Sequence, residues 1–279
     1  MNMVSSLQGY IKGYSFFLLS ACIFCVALEG KVQKQSWYSR VSSWVFGIEH
    51  ETFYTEIDCN PGTFITLTNV RGSVTVKTWA LSKCTIEATK SGSQKDIPHI
   101  DIVVEAVSPQ KIMVGTVYKA DDAKGTVDYV LFVPKNCNVM LSIAESGSIK
   151  VKHLTGCVQA KTHQGSVLLH AVSGSIKAEA SGDIKVTCLG LALANTIDIR
   201  TEYGTIVITF PPQTHATLAA KTQQGVVTSE HYITLNPLTV QLNQATWNQF
   251  KQEVRGIIGN GGSHVNLYSN KGAIKILES

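Results

Sequence analysis

The stretch that decides the fold runs from Gly147 to Val186 and reads GSIKVKHLTGCVQAKTHQGSVLLHAVSGSIKAEASGDIKV. Its glycines at 147, 156, 165, 174 and 182 follow one another at intervals of 9, 9, 9 and 8 residues. An Ile or Val stands two residues after each glycine, an apolar residue stands two positions further on, and the residues between are mainly polar. This alternation with period two predicts a short strand with one buried face in each unit.

The same pattern extends beyond this stretch on both sides. Glycines 72, 204, 225 and 272 bring the number of units to nine, and all nine carry Ile or Val at the second position after the glycine. Eight of the nine are apolar at the fourth position, with Ser229 as the exception. Several glycines are preceded by a Thr or Ser three residues earlier, which we expect to cap the turn or to share the buried face: Thr162, Thr201, Thr222 and Ser269.

Two architectures can carry such units. In a parallel β-solenoid, each chain turn stacks on the last and equivalent residues form inward ladders. In an antiparallel meander or sandwich, the same units alternate in direction. The turns lack the Asn-Gly and Asp-Gly pairs typical of two-residue hairpins, and small residues such as Ala160 and Ala178 suit a narrow interior. The pattern therefore favours an all-β, single-stranded parallel β-solenoid that resembles a β-helix.

The remainder of the chain is less regular. Residues 51–137 predict an irregular N-terminal β part of the same body. Residues 245–258 break the pattern, because Trp247, Phe250, Val254 and Ile258 fit a helical stripe and predict one short C-terminal helix. A final strand pair, His264–Tyr268 with Ala273–Leu277, is expected to close the chain. The strands predicted in the N-terminal part are Phe64–Thr68, Ser73–Thr78, Cys84–Ala88, Ile100–Val107, Ile112–Tyr118 and Gly125–Val133.

An apolar run of 14 residues at positions 15–28 predicts export. It is short for a transmembrane helix and has the length of a signal-peptide core. Three interpretations stay open: cleavage after Ala27, lipidation of Cys22 in a lipoprotein-like box, and retention as a membrane anchor. All three place the remaining chain in the periplasm or on the cell surface. The expected organisation is a signal peptide or anchor (1–27), a linker (28–50) and a β-solenoid domain (51–279).

Composition excludes some classes of partner. With 24 Lys and Arg against 20 Asp and Glu, the formal net charge is only +4. Such a chain cannot neutralise many phosphates, so we expect no nucleic-acid partner. The cysteines after the apolar run show no metal-ligand spacing, and either one or two disulfides or isolated buried thiols are compatible with them: Cys59, Cys84, Cys137, Cys157 and Cys188.

Several segments, taken in order, resemble one known family. They are Val70–Val76, Tyr129–Pro134, the Gly-x-Ile/Val units, Gly261-Gly262 and Lys271–Ile276. Over residues 55–279 this order resembles the bacterial putative-adhesin family, a domain-of-unknown-function family with a β-solenoid head. The resemblance implies a parallel β-helix-like fold, export or membrane attachment, and a cell-envelope setting. The family has no established catalytic residues, so the resemblance assigns none.

The residues themselves predict no catalytic, cofactor-binding or metal-binding site. A polysaccharide-acting β-helix enzyme needs acidic residues clustered on adjacent turns. The acidic residues of the repeat region stand at different offsets from their glycines and are interpreted as solvated charges. Arg200 is expected to form an ordinary outward ion pair with Glu202, and the histidines show no ligand spacing. The acidic residues in question are Glu145, Glu179, Asp183, Asp198 and Glu202.

Two function classes remain, with the polysaccharide-acting enzyme as the least favoured alternative. The first is a binding module for an unknown surface, glycan or protein partner. Its outward Lys150, Lys152, Lys177 and Lys185 would form a basic strip suited to anionic polymers, although the same lysines also serve to keep strand edges soluble. The second is a structural envelope scaffold that self-associates through open solenoid ends. Membrane contact is expected only through residues 15–28 or a lipidated Cys22.

Overall fold

The computed structural model describes residues 37–41, 48–235 and 251–279. The predicted export segment at 15–28 lies outside these residues. Among the described residues, no helix has the length and apolar character needed to cross a membrane. The domain boundaries stay predictions.

The described residues form two mixed sheets of eleven strands each, joined by loops and one short 3-10 turn at Ile97–His99. Sheet A contains, from edge to edge, β1 (Trp37–Val41), β2 (Glu49–Asp58), β5 (Lys83–Gly92), β8 (Thr126–Pro134), β4 (Val74–Trp79), β10 (Ile149–Lys152), β12 (Val167–Val172), β14 (Ile184–Cys188), β16 (Ile206–Phe210), β22 (Ile274–Glu278) and β18 (Val227–Ser229). Sheet B contains β19 (Ile233–Leu235), β20 (Glu253–Ile258), β17 (Ala216–Thr222), β21 (Ser263–Ser269), β15 (Thr196–Thr201), β13 (Ile176–Ala180), β11 (Val158–Gln164), β9 (Asn138–Ser146), β3 (Phe64–Arg71), β7 (Lys111–Tyr118) and β6 (Ile100–Ser108).

The middle of both sheets is parallel. Successive strands of the chain alternate between the sheets, so that β11, β13 and β15 lie side by side in sheet B while β12, β14 and β16 lie side by side in sheet A. Residues at equal offsets from their glycines are therefore in register, as Ile184 and Ile206 are in sheet A. Their side chains are buried between the two sheets and form the core.

The repeated glycines stack in two columns at the corners between the sheets. One column contains, in spatial order, Gly72, Gly147, Gly165, Gly182, Gly204, Gly272 and Gly225, and the other contains Gly156 and Gly174. At Gly147 a Cβ atom would collide with the carbonyl oxygen of Gly72, and at Gly165 with that of Gly147. The corner requires glycine because the backbones of adjacent turns approach too closely for any side chain.

The Thr and Ser residues that precede these glycines are buried and cap the corner, as the sequence predicted. Thr162 Oγ1 donates to the Gly147 carbonyl at 2.8 Å, and Thr222 Oγ1 donates to the Gly272 carbonyl at 2.7 Å. Ser269 Oγ donates to the Gly204 carbonyl at 3.1 Å. Each side chain thereby satisfies a carbonyl that the turn removes from the strand ladder.

The last turn of the chain is inserted between two earlier turns. In sheet B, β21 lies between β15 and β17, and in sheet A, β22 lies between β16 and β18. The predicted strands His264–Tyr268 and Ala273–Leu277 are thus confirmed, but they do not pair with each other, since they belong to different sheets.

Two features of the predicted fold need correction. The all-β class is confirmed, but antiparallel strands flank the parallel region at both ends, so that the sheets are mixed. The predicted C-terminal helix is wrong for residues 253–258. Val254 and Ile258 belong to β20, which pairs antiparallel with β17, whereas Trp247 and Phe250 lie outside the described residues.

The strands predicted in the N-terminal part are confirmed as β3 to β8. Their apolar positions alternate as expected, and β8 buries Val127, Tyr129, Leu131 and Val133 completely. Two strands preceding them were not predicted. These are β1 and β2, which pair with each other antiparallel and extend sheet A at its edge.

Candidate functional site

A regular set of lysines covers the outer face of sheet A. Lys150 of β10, Lys185 of β14 and Lys275 of β22 occupy one row across the sheet, with Leu168 and Val207 on the intervening strands. Since adjacent strands lie about 4.8 Å apart, successive lysines of this row repeat at about 9.5 Å. Lys77 and Lys152 belong to the next outward positions of β4 and β10. We call these five exposed residues the lysine strip.

No described residue neutralises the lysine strip. None of its five members forms an ion pair within the described part of the chain, and Lys77 lies 5.2 Å from the centroid of the Phe132 ring. Strands β4, β10, β12, β14 and β16 contain no Asp or Glu. The part of the outer face of sheet A that these five strands form is therefore a basic surface whose charges are available to an external anion.

The strip predicted from the sequence was partly wrong. Lys150, Lys152 and Lys185 share the outer face of sheet A as expected, but Lys177 lies in β13 of sheet B and contacts Glu179 at 3.6 Å. Lys275, which the sequence analysis did not include, occupies the corresponding place in sheet A. The signal was present in the sequence, because Lys150, Lys185 and Lys275 all stand three residues after a glycine of the same corner column.

The outer face of sheet B carries charges of both signs. One row across six neighbouring strands reads Lys161, Glu179, Arg200, Tyr268, Lys221 and Glu253. Its charges are paired within the sheet. The Lys161 and Glu179 side chains approach to 2.8 Å, and those of Lys221 and Glu253 approach to 3.1 Å. Arg200 pairs with Asp198 on its own strand at 3.1 Å, so its predicted pairing with Glu202 is wrong.

Part of this face and the adjoining corner form an open groove of about 860 Å³. Two tyrosines give it an aromatic side: Tyr203, which Lys271 contacts at 4.8 Å from the ring centroid, and Tyr268, whose hydroxyl oxygen accepts a hydrogen bond from Gln223 at 2.8 Å. The groove is lined by Lys161, Thr162, His163, Gln164, Glu179, Ala180, Ser181, Arg200, Thr201, Glu202, Tyr203 and Tyr268.

The groove brings together two of the acidic residues singled out in the sequence, Glu179 and Glu202. The hydrogen bond and positive charge of Lys161 lower the pKa of Glu179 below its usual range, so this carboxyl group is ionised and is a poor general acid. Glu202 accepts a hydrogen bond from Asn270 at 2.6 Å. The other acids are dispersed: Glu145 pairs with Arg71 at 3.0 Å, and Asp183 accepts the backbone N–H of Thr205 at 2.7 Å.

The histidines fall at separate places. His163 lines the groove, while His153 and His170 lie edge to face beside the lysine strip, with ring centroids 5.5 Å apart. His231 is buried and lies 3.8 Å from Glu278. Among the residues that the structure describes, no group of three His, Cys, Asp or Glu side chains has metal-binding geometry.

Comparison with known proteins gave structural matches only. No protein-family model matches the sequence, and no curated protein matches it. A crystal structure of a putative cell adhesion protein from Clostridium sporogenes ATCC 15579 aligns with 81% of this chain and 99% of its own, at 11% identity and a TM-score of 0.46. A putative adhesin from Bacteroides fragilis NCTC 9343 aligns over 82% and 97%, at 12% identity and a TM-score of 0.34.

A third structure, of a putative adhesin from Parabacteroides distasonis ATCC 8503, aligns with 81% of this chain and 97% of its own, at 12% identity and a TM-score of 0.30. These descriptions agree with the family resemblance found in the sequence. At such identities and TM-scores, nothing about a ligand or partner is transferred to this chain.

Proposed function

We propose that this chain is an exported, non-enzymatic binding module of the cell envelope, adhesin-like in character. In this proposal its parallel two-strand units form a β-solenoid, and an anionic polymer binds along the lysine strip. A polysaccharide or another polyanion with charges spaced along its length would contact several strip lysines at once. The module would then hold a surface through many weak contacts rather than through a closed pocket.

The observation that carries this proposal is the difference between the two outer faces. On sheet B the lysines are neutralised within the sheet, since Lys161, Lys177 and Lys221 all form ion pairs with glutamates. On sheet A, Lys150, Lys185 and Lys275 are exposed, and no acidic residue lies between them in their row. Surface lysines that only maintained solubility would not need to repeat at every second strand.

The groove on sheet B does not support the alternative role of a polysaccharide-acting enzyme. Its Glu179 is held by Lys161 and Lys177, and this pairing reduces the charge available to a ligand. Glycoside hydrolysis needs one carboxylic acid with a raised pKa opposite a second carboxylate. The pKa of Glu179 is shifted in the opposite direction.

Binding is tested with dextran sulfate as the polyanion and neutral dextran as its uncharged counterpart. The variant K150Q/K185Q/K275Q should lose roughly a hundredfold in affinity at low ionic strength, since each of the three lysines near an anionic surface contributes about 1 kcal/mol. Wild-type affinity should also fall steeply between about 50 and 200 mM salt. Surface plasmon resonance across a salt series measures both effects.

The matched control is K119Q/K177Q/K221Q, which removes the same net charge from lysines that pair with Asp101, Glu179 and Glu253. It should change the affinity less than threefold. Equal losses in the two triple variants would show that only total charge matters and would reject the lysine strip as the binding surface. Equal binding to neutral dextran would reject electrostatic recognition altogether.

Export is tested separately by adding protease to intact cells that express the full chain, with lysed cells as the reference. Digestion in intact cells places the body at the cell surface. Digestion only after the envelope is opened places it in an inner envelope space and contradicts adhesion to external surfaces. Fractionation into the cytosol would contradict the whole proposal.

A further inference from the structure

Two cysteines that are distant in sequence meet in the core at one end of the parallel region. Cys59 follows β2 and Cys137 precedes β9, 78 positions further along the chain, yet their Sγ atoms are 3.4 Å apart. Both side chains are completely buried. This contact is separate from the lysine strip and from the groove.

Backbone hydrogen bonds fix the two turns that carry these cysteines against each other. The Gly62 N–H donates to the Asn136 carbonyl at 3.2 Å, and the Asn138 N–H donates to the Thr63 carbonyl at 2.9 Å. Cys59 is itself held by its N–H, which donates to the Ser82 carbonyl at 3.1 Å. The two sulfur atoms are thus positioned by the fold and not by a chance approach of mobile side chains.

We infer that Cys59 and Cys137 form a disulfide in the exported protein. The inference rests on the export part of the proposed function, because structural disulfides persist in oxidising compartments. Bond formation brings the two sulfur atoms from 3.4 Å to about 2.05 Å. It would join the turn after β2 to the turn before β9 and so fasten the antiparallel N-terminal strands to the first parallel units.

The chemistry requires an oxidant of the thiol–disulfide oxidoreductase class. The thiolate of Cys59 attacks the disulfide of the oxidant, forming a mixed disulfide and releasing one thiolate of the oxidant. The thiolate of Cys137 then attacks the Cys59 sulfur and expels the second thiolate. The two cysteines lose two protons and two electrons, and the oxidant becomes a dithiol. Because both sulfur atoms are buried in the native fold, this exchange takes place before the two turns close.

The electrostatic setting agrees with this pairing. In the folded protein a hydrogen bond from the Cys137 thiol lowers the pKa of Cys59, as expected for two thiols in direct contact. Burial raises the pKa of the Cys84 thiol and of the Cys188 thiol, which keeps these two in the unreactive form. Cys157 is exposed, and it supplies the control for the experiment.

The test uses the full chain expressed in cells, trapped in acid and alkylated before and after reduction. Peptide mass mapping should find one cross-linked pair containing Cys59 and Cys137, with the loss of two hydrogens that a disulfide requires. Reduction should lower the Tm of the purified protein by about 10 °C, as expected for a cross-link that closes a long loop in a chain of this size. The variant C157S should keep both the cross-link and this shift, and C59S/C137S should lose both.

A second arm separates the pairing from export. The purified, reduced chain is unfolded and refolded in a glutathione redox buffer, then mapped in the same way. Absence of the Cys59–Cys137 bond in both arms overturns the pairing and leaves export untouched. Its presence after refolding but not in cells overturns the disulfide in the native protein and with it the oxidising location. A cross-link to Cys84, Cys157 or Cys188 in either arm also overturns the inference.

Discussion

The hydroxyl group of Thr201 offers the sharpest test of how the corners of this fold are stabilised. Thr201 ends β15 and is 2% exposed. Its Oγ1 donates to the Gly182 carbonyl at 2.6 Å and accepts the Gly204 N–H at 3.2 Å, so one hydroxyl group serves two adjacent turns. The substitution Thr201→Val keeps the shape of the side chain and removes both hydrogen bonds.

The expected loss follows from those two contacts. A buried polar backbone group left without a partner costs about 1–3 kcal/mol, and the substitution affects two such groups while creating almost no cavity. We therefore expect Thr201→Val to lower the free energy of unfolding by about 2–6 kcal/mol. For a domain of this size a change near 3 kcal/mol corresponds to a fall in Tm of about 6–12 °C.

Urea unfolding followed by circular dichroism measures the change, and Thr201→Ser is the matched control. Serine keeps the hydroxyl group and removes one buried methyl group, which costs only about 0.8 kcal/mol. The valine variant should therefore be clearly less stable than the serine variant. Equal stabilities, or a loss below about 1 kcal/mol for valine, would refute the view that side-chain hydrogen bonds hold the corners together.

Two further predictions concern the glycine column and the charged row of sheet B. Gly204→Ala should lower the free energy of unfolding by about 2 kcal/mol or more, because its methyl group would collide with the backbone of Gly182. Gly190→Ala is the control, since there is open space around its Cβ position, and it should change stability by less than 1 kcal/mol. Equal effects in equilibrium unfolding would contradict the close approach of backbones in the glycine column. Glu179→Gln should lower stability at pH 7 by up to about 1 kcal/mol, since Lys161 and Lys177 pair with a partly exposed carboxylate. These lysines lower the pKa of Glu179, so the difference in the free energy of unfolding between variant and wild type should be present above pH 4.5 and should disappear as the pH falls through the lowered native pKa. A difference that persists in acid would mean that the substitution disturbs packing and not charge.

Much of the fold could be predicted because the glycine corners and the Ile/Val positions are local signals. A glycine is required wherever two backbones touch, and the apolar residues two and four positions later must face the core. The spacing does not state in which sheet each unit lies. Consecutive glycines such as Gly156 and Gly165 belong to opposite corners, and for this reason Lys177 was assigned to the wrong face.

The error at Val254 and Ile258 has a different cause. Positions i and i+4 share a face both in a helix and in a strand, so this spacing cannot distinguish the two. Tertiary pairing makes this segment a strand, since β20 lies antiparallel to β17 with Val254 opposite Ala220 and Ile258 opposite Ala216. The contact between Cys59 and Cys137 could not be predicted either, because no local pattern in the sequence indicates that residues 78 positions apart meet.

The inserted position of the final turn constrains how the protein can be made. Strands β17 and β18 reach their native neighbours only through β21 and β22, which the ribosome synthesises later. A chain emerging from its N-terminus can complete the turns up to β16 one after another, but the gap beyond β16 stays open until residues 263–278 have appeared. The stack therefore cannot be completed until residues 263–278 have been synthesised, and until then both sheets have a gap between β16 and β18 or between β15 and β17.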